Sequence, residues 1–281
     1  MLKRLTGSGI LSLVVALLLS APVFATKSVS SANITPLGND VSYPQCGKTL
    51  PTTQTFGVVG VNGGLATTTN DCLGAQLQWA WRSSGTQHQP KAGLYVNTAN
   101  PGGLGTASWP KNNVDPVGAT TQNPYGDCDG SDSLSCAWQY GWNRAVEDVQ
   151  SRFVPAAQSA AIDATPATYR WWLDVETSNT WKTSGNLAKQ SNTADLEGMT
   201  AYFESQGATV GLYSTASQWG SIVGTITSGS NLNGLINWRP GGANLNTAKQ
   251  ACTAAPLTPG GQVLLTQYIA NRLDYDYSCV N

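Results

Sequence analysis

One histidine, His88, stands in the whole 281-residue chain, within a Gly-Thr-Gln-His-Gln-Pro turn. Serine triads, cysteine–histidine dyads and multi-histidine metal sites all need an imidazole, so each would depend on that single loop residue. A structural or surface role is expected for His88, which leaves carboxylates as the groups able to carry chemistry. Charge is also scarce, at 11% of residues. No Cys-x-x-Cys occurs, which argues against structural zinc or thiol redox use. No Gly-x-Gly-x-x-Gly follows the first predicted strand, which removes the phosphate-loop reason for an open doubly wound sheet, the competing fold. No cofactor and no metal is expected.

Long apolar runs are missing except at the start. Lys3 and Arg4, the apolar stretch from Ile10 to Leu19, and Val23-Phe24-Ala25 read as a secretory signal peptide over residues 1–25. The run is too short for a membrane span, and no later stretch qualifies. The expected mature chain is therefore secreted or associated with the cell envelope, with no membrane span. Removing Lys3 and Arg4 leaves 13 basic against 16 acidic residues, which argues against nucleic acid as a partner. Residues 26–36 read as a flexible Ser/Thr/Asn tail, and residues 37–281 as one domain, expected to be a monomer.

Six cysteines are present, Cys46, Cys72, Cys128, Cys136, Cys252 and Cys279, an even number in an oxidising compartment. Many pairings are open. Chain order favours Cys46 with Cys72, Cys128 with Cys136 and Cys252 with Cys279, because each would close a local loop.

Short apolar runs alternate with helical patterns. Strands are predicted at Leu37–Ser42, Phe56–Val61, Ala92–Asn97, Tyr169–Glu176, Thr209–Ser214, Gly234–Trp238 and Gln262–Ile269. Helices are predicted at Cys72–Ser84, Ala137–Ala160 and Thr193–Gln206. The alternation points to an α/β fold, a (β/α)8-type TIM barrel, irregular in its second half where helices look short. Residues 98–136 form an inserted loop after strand three, rich in Pro, Gly, Asn and Asp, for which the close pair Cys128 and Cys136 suggests a disulfide staple. A stapled flap over the barrel mouth, restricting access to small oligosaccharides, is one use of it. Its Asp127-Cys-Asp129-Gly-Ser-Asp132 has the acids of a calcium loop, but the glycine is displaced and no Glu stands at the twelfth position.

The fourth strand reads Tyr-Arg-Trp-Trp-Leu-Asp-Val-Glu. Side chains alternate along a strand, so Trp172, Asp174 and Glu176 share one face, the two acids about 6.6 Å apart along the backbone. That is close enough for each to alter the other's proton affinity. Trp172, one step below Asp174, is expected to plug the barrel. Sites in such barrels form where the parallel strands end. Asp40 on the first strand, Asp174 and Glu176 on the fourth, and Asp274 and Asp276 just after the last would then meet at one mouth.

Gly38-Asn-Asp40-Val-Ser-Tyr-Pro-Gln45 resembles the opening motif of family 25 glycoside hydrolases, the exported lysozyme-type muramidases. Leu173-Asp174-Val175-Glu176 is similar to their Asp-x-Glu strand, and Gly211-Leu-Tyr213-Ser-Thr215 to their tyrosine-bearing strands. Gln267-Tyr268 with Asp274-Tyr-Asp276 resembles their closing elements. The order matches over nearly the whole mature chain. The chain departs from the pattern in its long insertion, in Asp276 where Asn is usual, and in Arg239-Pro-Gly-Gly after Trp238. The likeness also extends to glycoside hydrolase-like barrels of exported bacterial proteins with no established activity.

The resemblance implies cleavage of peptidoglycan or a related amino-sugar polymer. Glu176 would be the proton donor, with raised proton affinity, and Asp174 would stay ionised to stabilise positive charge at the sugar carbon. Asp40 and Asp274 would position substrate or water. Tyr95, Asn97, Tyr213, Trp238, Gln267, Tyr268 and Asp276 are candidate substrate-binding wall residues. A non-catalytic carbohydrate-binding or envelope barrel that retains the acidic mouth is the alternative.

Overall fold

The computed structural model describes residues 37–103 and 106–280. The predicted signal peptide and tail lie outside the described residues. Eight strands close a barrel in chain order: β1 Leu37–Val41, β2 Phe56–Gly60, β3 Ala92–Asn97, β4 Arg170–Asp174, β5 Thr209–Tyr213, β6 Ile236–Gly242, β7 Gln262–Ala270 and β8 Leu273–Ser278. Neighbours from β1 through β7 are parallel. β8 runs antiparallel to both β7 and β1. The barrel is therefore closed and α/β as expected, but mixed: the (β/α)8 pattern expected to be irregular in its second half ends in an antiparallel strand. Only two residues, Asn271 and Arg272, separate β7 from β8. Both have positive φ (53° and 62°), so the chain makes a hairpin where a crossover helix would be needed for parallel pairing.

The helices are α1 Leu73–Trp81, α2 Leu134–Val146, α3 Val154–Ser159, α4 Ala188–Ser205, α5 Ala216–Ile222 and α6 Leu245–Ala251. A π-helical stretch, Glu147–Phe153, joins α2 to α3. The single long helix predicted over 137–160 is thus three segments beginning at Leu134. Side-chain caps fix several starts: Ser133 accepts from Cys136 N–H, Thr215 from Gln218 N–H and Asn244 from Thr247 N–H.

Alternation along the strands divides the apolar residues into two layers. Phe56, Val58, Trp172, Trp238, Leu264 and Leu265 form a core cluster with Tyr95 and Tyr213. Val59, Leu94, Val96, Trp171, Leu173 and Leu212 belong to the larger core that includes α1 and α4 residues. Trp172 is 1% exposed and lies 5.8 Å from Trp238 between ring centroids, as expected of a barrel plug.

α2 and α4 cross closely because glycines meet backbone. A Cβ on Gly141 would strike the carbonyl of Asp195, and one on Gly198 the carbonyl of Trp138. Disulfides join Cys46 to Cys72, Cys128 to Cys136 and Cys252 to Cys279, the pairing that chain order favoured. The staple in the insertion closes only its last turn onto α2, leaving residues 98–127 outside that loop. The stapled turn is also held by Lys182 Nζ to Asp132 at 2.5 Å, and the part of the insertion before it by Tyr125 OH to Glu197 at 2.5 Å. Asp127 and Asp129 accept local hydrogen bonds from Asn113 Nδ2 and the Ser131 amide.

Candidate functional site

Register brings the acids together. Asp40 on β1 is the cross-strand partner of Asp274 on β8, and Gly38 the partner of Asp276. Because β8 runs opposite to the others, its first residues lie at the end where the parallel strands finish. Asp274 and Asp276 are thus strand residues, whereas the sequence placed them after the last strand. Asp174 is the final residue of β4, beside Asn97 on β3 and Tyr213 on β5. Glu176 lies two residues past the end of β4, so its expected place on that strand is corrected.

Hydrogen bonds connect these groups. Asn97 Nδ2 donates to Asp174 Oδ2 at 3.0 Å. Thr98 donates to the Asp174 carbonyl from its amide at 3.3 Å and from Oγ1 at 2.6 Å. Gln267 Nε2 donates to Asp40 Oδ2 at 2.9 Å, and Tyr213 OH donates to Gln267 Oε1 at 2.8 Å. Glu176 is half-buried; its Oε1 accepts from Gln218 Nε2 at 3.4 Å, while its carbonyl accepts from Trp181 Nε1 at 2.9 Å.

Burial dominates the electrostatics. Asp40 is pushed up to about 7 by burial and then by the charge of Asp274, against the hydrogen bond from Gln267. Burial raises Asp174 well above the ordinary carboxylate range, and the charges of Glu176 and Asp40 add to it. Asp276, with no exposed surface, is raised in the same way by burial, Asp40 and Asp274. Asp274 is raised by burial. The ion pairs among the described residues engage Arg144, Arg152 and Lys182 and none of these acids. The sequence expected Asp174 to stay ionised. In the structure its proton is held more tightly, because a carboxylate that is 7% exposed loses most of its hydration.

The predicted wall residues divide. Tyr95, Asn97, Tyr213 and Gln267 are half-buried around the acids. Trp238 is 2% exposed and packs edge-on against Tyr213 at 4.6 Å, so it supports the wall without presenting a face. Tyr268 sits on the opposite side of β7 from Gln267, stacked on Tyr275 at 5.2 Å. Its expected place in the mouth is corrected: alternation sends one of two adjacent strand residues outward. Thr98, Gln218 and Asn62 touch the site or its supports without having been singled out. Nothing in their residue types marks them, since each acts through a partner distant in sequence. Among the described residues no group of three or more His, Cys, Asp or Glu is placed to hold a metal ion.

No family profile matches the chain, and no curated protein does. Among solved structures, the spore cortex lytic enzyme SleM of Clostridium perfringens is similar at 13% identity and a TM-score of 0.50, over 86% of this chain and 67% of that one. The muramidase of Trichobolus zukalii is matched at 13% identity and 0.49, over 86% and 92%. The modular Cpl-1 endolysin, solved with a peptidoglycan analogue, is matched at 15% and 0.46, over 87% of this chain and 54% of its own. At such identities the likeness is one of fold: this chain shares its closed α/β barrel with a spore cortex lytic enzyme.

Proposed function

We propose that the protein is an exported glycoside hydrolase that cleaves peptidoglycan or a related amino-sugar polymer by carboxylate acid catalysis. The observation that supports this most is the gathering of Asp40, Asp174 and Asp274, from strands far apart in sequence, at the end of the barrel where Glu176 leaves β4. The disulfides suit an extracellular or cell-envelope setting. No described helix is long and apolar enough to cross a membrane.

Glu176 is the proton donor because it stands at the lip, half-buried, while Asp174 is sunk beneath it and tied to Asn97. One proton shared by the Asp174–Glu176 pair passes through Glu176 to the glycosidic oxygen as the bond to the sugar carbon breaks. The carboxylate left behind at Asp174 faces the positive charge growing on that carbon, and water completes the hydrolysis, its hydroxyl adding to the carbon and its proton returning to the pair. Asp40, oriented by Gln267 and through it by Tyr213, positions substrate or water with Asp274. Asn97 and the edges of Tyr95 and Tyr213 meet the sugar hydroxyls and rings.

Replacing Glu176→Gln is expected to lower cleavage by on the order of a thousandfold with the fold intact. Turbidity loss of purified cell walls and mass spectrometry of the new reducing ends measure it. Equal clearing by the variant and the parent would remove the proposal. The burial of Asp40, Asp174 and Asp276 favours a second reading, a barrel that binds glycan without cutting it. Saturable binding to sacculi with no new reducing ends would establish that reading, and sustained release of ends would exclude it.

A further inference from the structure

A polar hub at the end of β2 takes no part in the steps above. Val61 N–H still donates to the Tyr95 carbonyl at 2.9 Å, as in a parallel ladder. The next such amide on β3, Asn97 N–H, is met by a side chain: Asn62 Oδ1 accepts it at 2.8 Å. The ladder thus continues where the backbone turns away into Gly63 and Gly64. Asn62 Nδ2 in turn donates to Asp148 Oδ1 at 2.8 Å, and to the carbonyls of Thr68 and Ala66 at 3.4 and 3.5 Å.

Asp148 is supplied by the π-helical stretch, whose wider turn shifts side chains out of α-helical register. Arg152 donates to the same Oδ1 at 2.8 Å and is steadied by Glu147 at 3.3 Å. Asn62, Asp148 and Arg152 are all buried. A continuous path of hydrogen bonds therefore runs from Arg152 through Asp148, Asn62 and Asn97 to Asp174 Oδ2.

We propose that Asn62, clamped by Asp148 and Arg152, is a positioning residue: it fixes the end of β3 so that Asn97 Nδ2 meets Asp174. The kinetic consequence rests on the hydrolase reading; the structural consequence does not. Asp174 is also faced by Glu176, Asp40 and Tyr213, so its proton affinity reports any loosening of Asn97. A donor lost from the carboxylate raises that affinity.

Two variants and a swap test this. Asn62→Ala removes the acceptor, and Asn62→Asp sets two carboxylates against each other. In the pair Asn62→Asp with Asp148→Asn the roles exchange: the carboxylate now at position 62 still accepts from the Asn97 amide, while the amide now at position 148 donates to it and still accepts from Arg152. With aspartate labelled by 13C, the Asp174 carboxyl titration is followed by NMR in the full-length mature protein, with near-UV circular dichroism to confirm folding. Both single variants are expected to move the Asp174 midpoint upward, and the swap to bring it back. On peptidoglycan, kcat is expected to fall about ten- to a hundredfold in the single variants with KM little changed, and to recover in the swap. A parental midpoint in Asn62→Ala, or a swap no closer to the parent than Asn62→Asp, would overturn the proposal. A parent that titrates as described yet cuts no glycan would overturn the hydrolase reading and leave this one standing.

Discussion

Asp276 has no exposed surface, and no hydrogen bond of ordinary geometry reaches either of its carboxylate oxygens. It lies beside Asp40, and burial, with the charges of Asp40 and Asp274, raises its proton affinity well above the ordinary carboxylate range. Linkage then fixes a sign. Asp40, Asp174, Asp274 and Asp276 all bind protons more tightly folded than unfolded, so their contribution to stability is complete at low pH and is lost as pH rises. For Asp40 the loss runs from its ordinary 3.8 to about 7. Thermal unfolding is expected to show Tm falling over that range. Asp276→Asn removes an ionisable group from beside Asp40 at nearly the same shape, and is expected to raise Tm at pH 8 by roughly 2–4 °C while changing it little near pH 4. A variant with the parent's pH slope would show that Asp276 does not carry this dependence.

At the scale of elements, the crossing of α2 and α4 is set by two glycines. Each is opposed by backbone on the other helix, which cannot turn aside as a side-chain tip can. Gly198→Ala is expected to destabilise the protein by about 1–3 kcal/mol, despite alanine's better helix propensity. Urea denaturation measures it, and a neutral or stabilising result would mean that the helices part easily. This crossing was not legible in the sequence: the pattern that predicts a helix over Ala137–Ala160 carries no mark of the helix that crosses it. By contrast β3 was read to the residue, because Ala92–Asn97 is a clean apolar run stopped by polar ones. Glu176 was misplaced because alternation extrapolates past a strand's end, and pairing of β4 with its neighbours stops at Asp174.

For the whole molecule, closure depends on β8, a strand of six residues pairing β7 to β1. Cys279 directly follows it and is bonded to Cys252, just after α6, across a separation of 27 residues. Replacing both by serine is expected to lower stability by about 3–4 kcal/mol through the loop-closure entropy of the unfolded chain. Hydrogen exchange should then rise first in β8, since that strand loses its tether. Uniform acceleration throughout the barrel would instead mean that β8 opens only with global unfolding.

Local pattern was enough to determine the strand–helix alternation and the even set of cysteines, to favour their nearest-neighbour pairing, and to point to the barrel plug at Trp172 and to the acids Asp40, Asp174 and Asp274 as residues of one mouth. These follow from short-range periodicity and chain order, which an amino-acid string carries directly. The tertiary structure alone decided that β8 turns back antiparallel, that Tyr268 faces away from Gln267's side, that burial raises the proton affinity of Asp174, and that Asn62 and Asp148 stand behind it. Those outcomes depend on register across strands and on how far each carboxylate is removed from water, quantities that exist only once distant segments have packed.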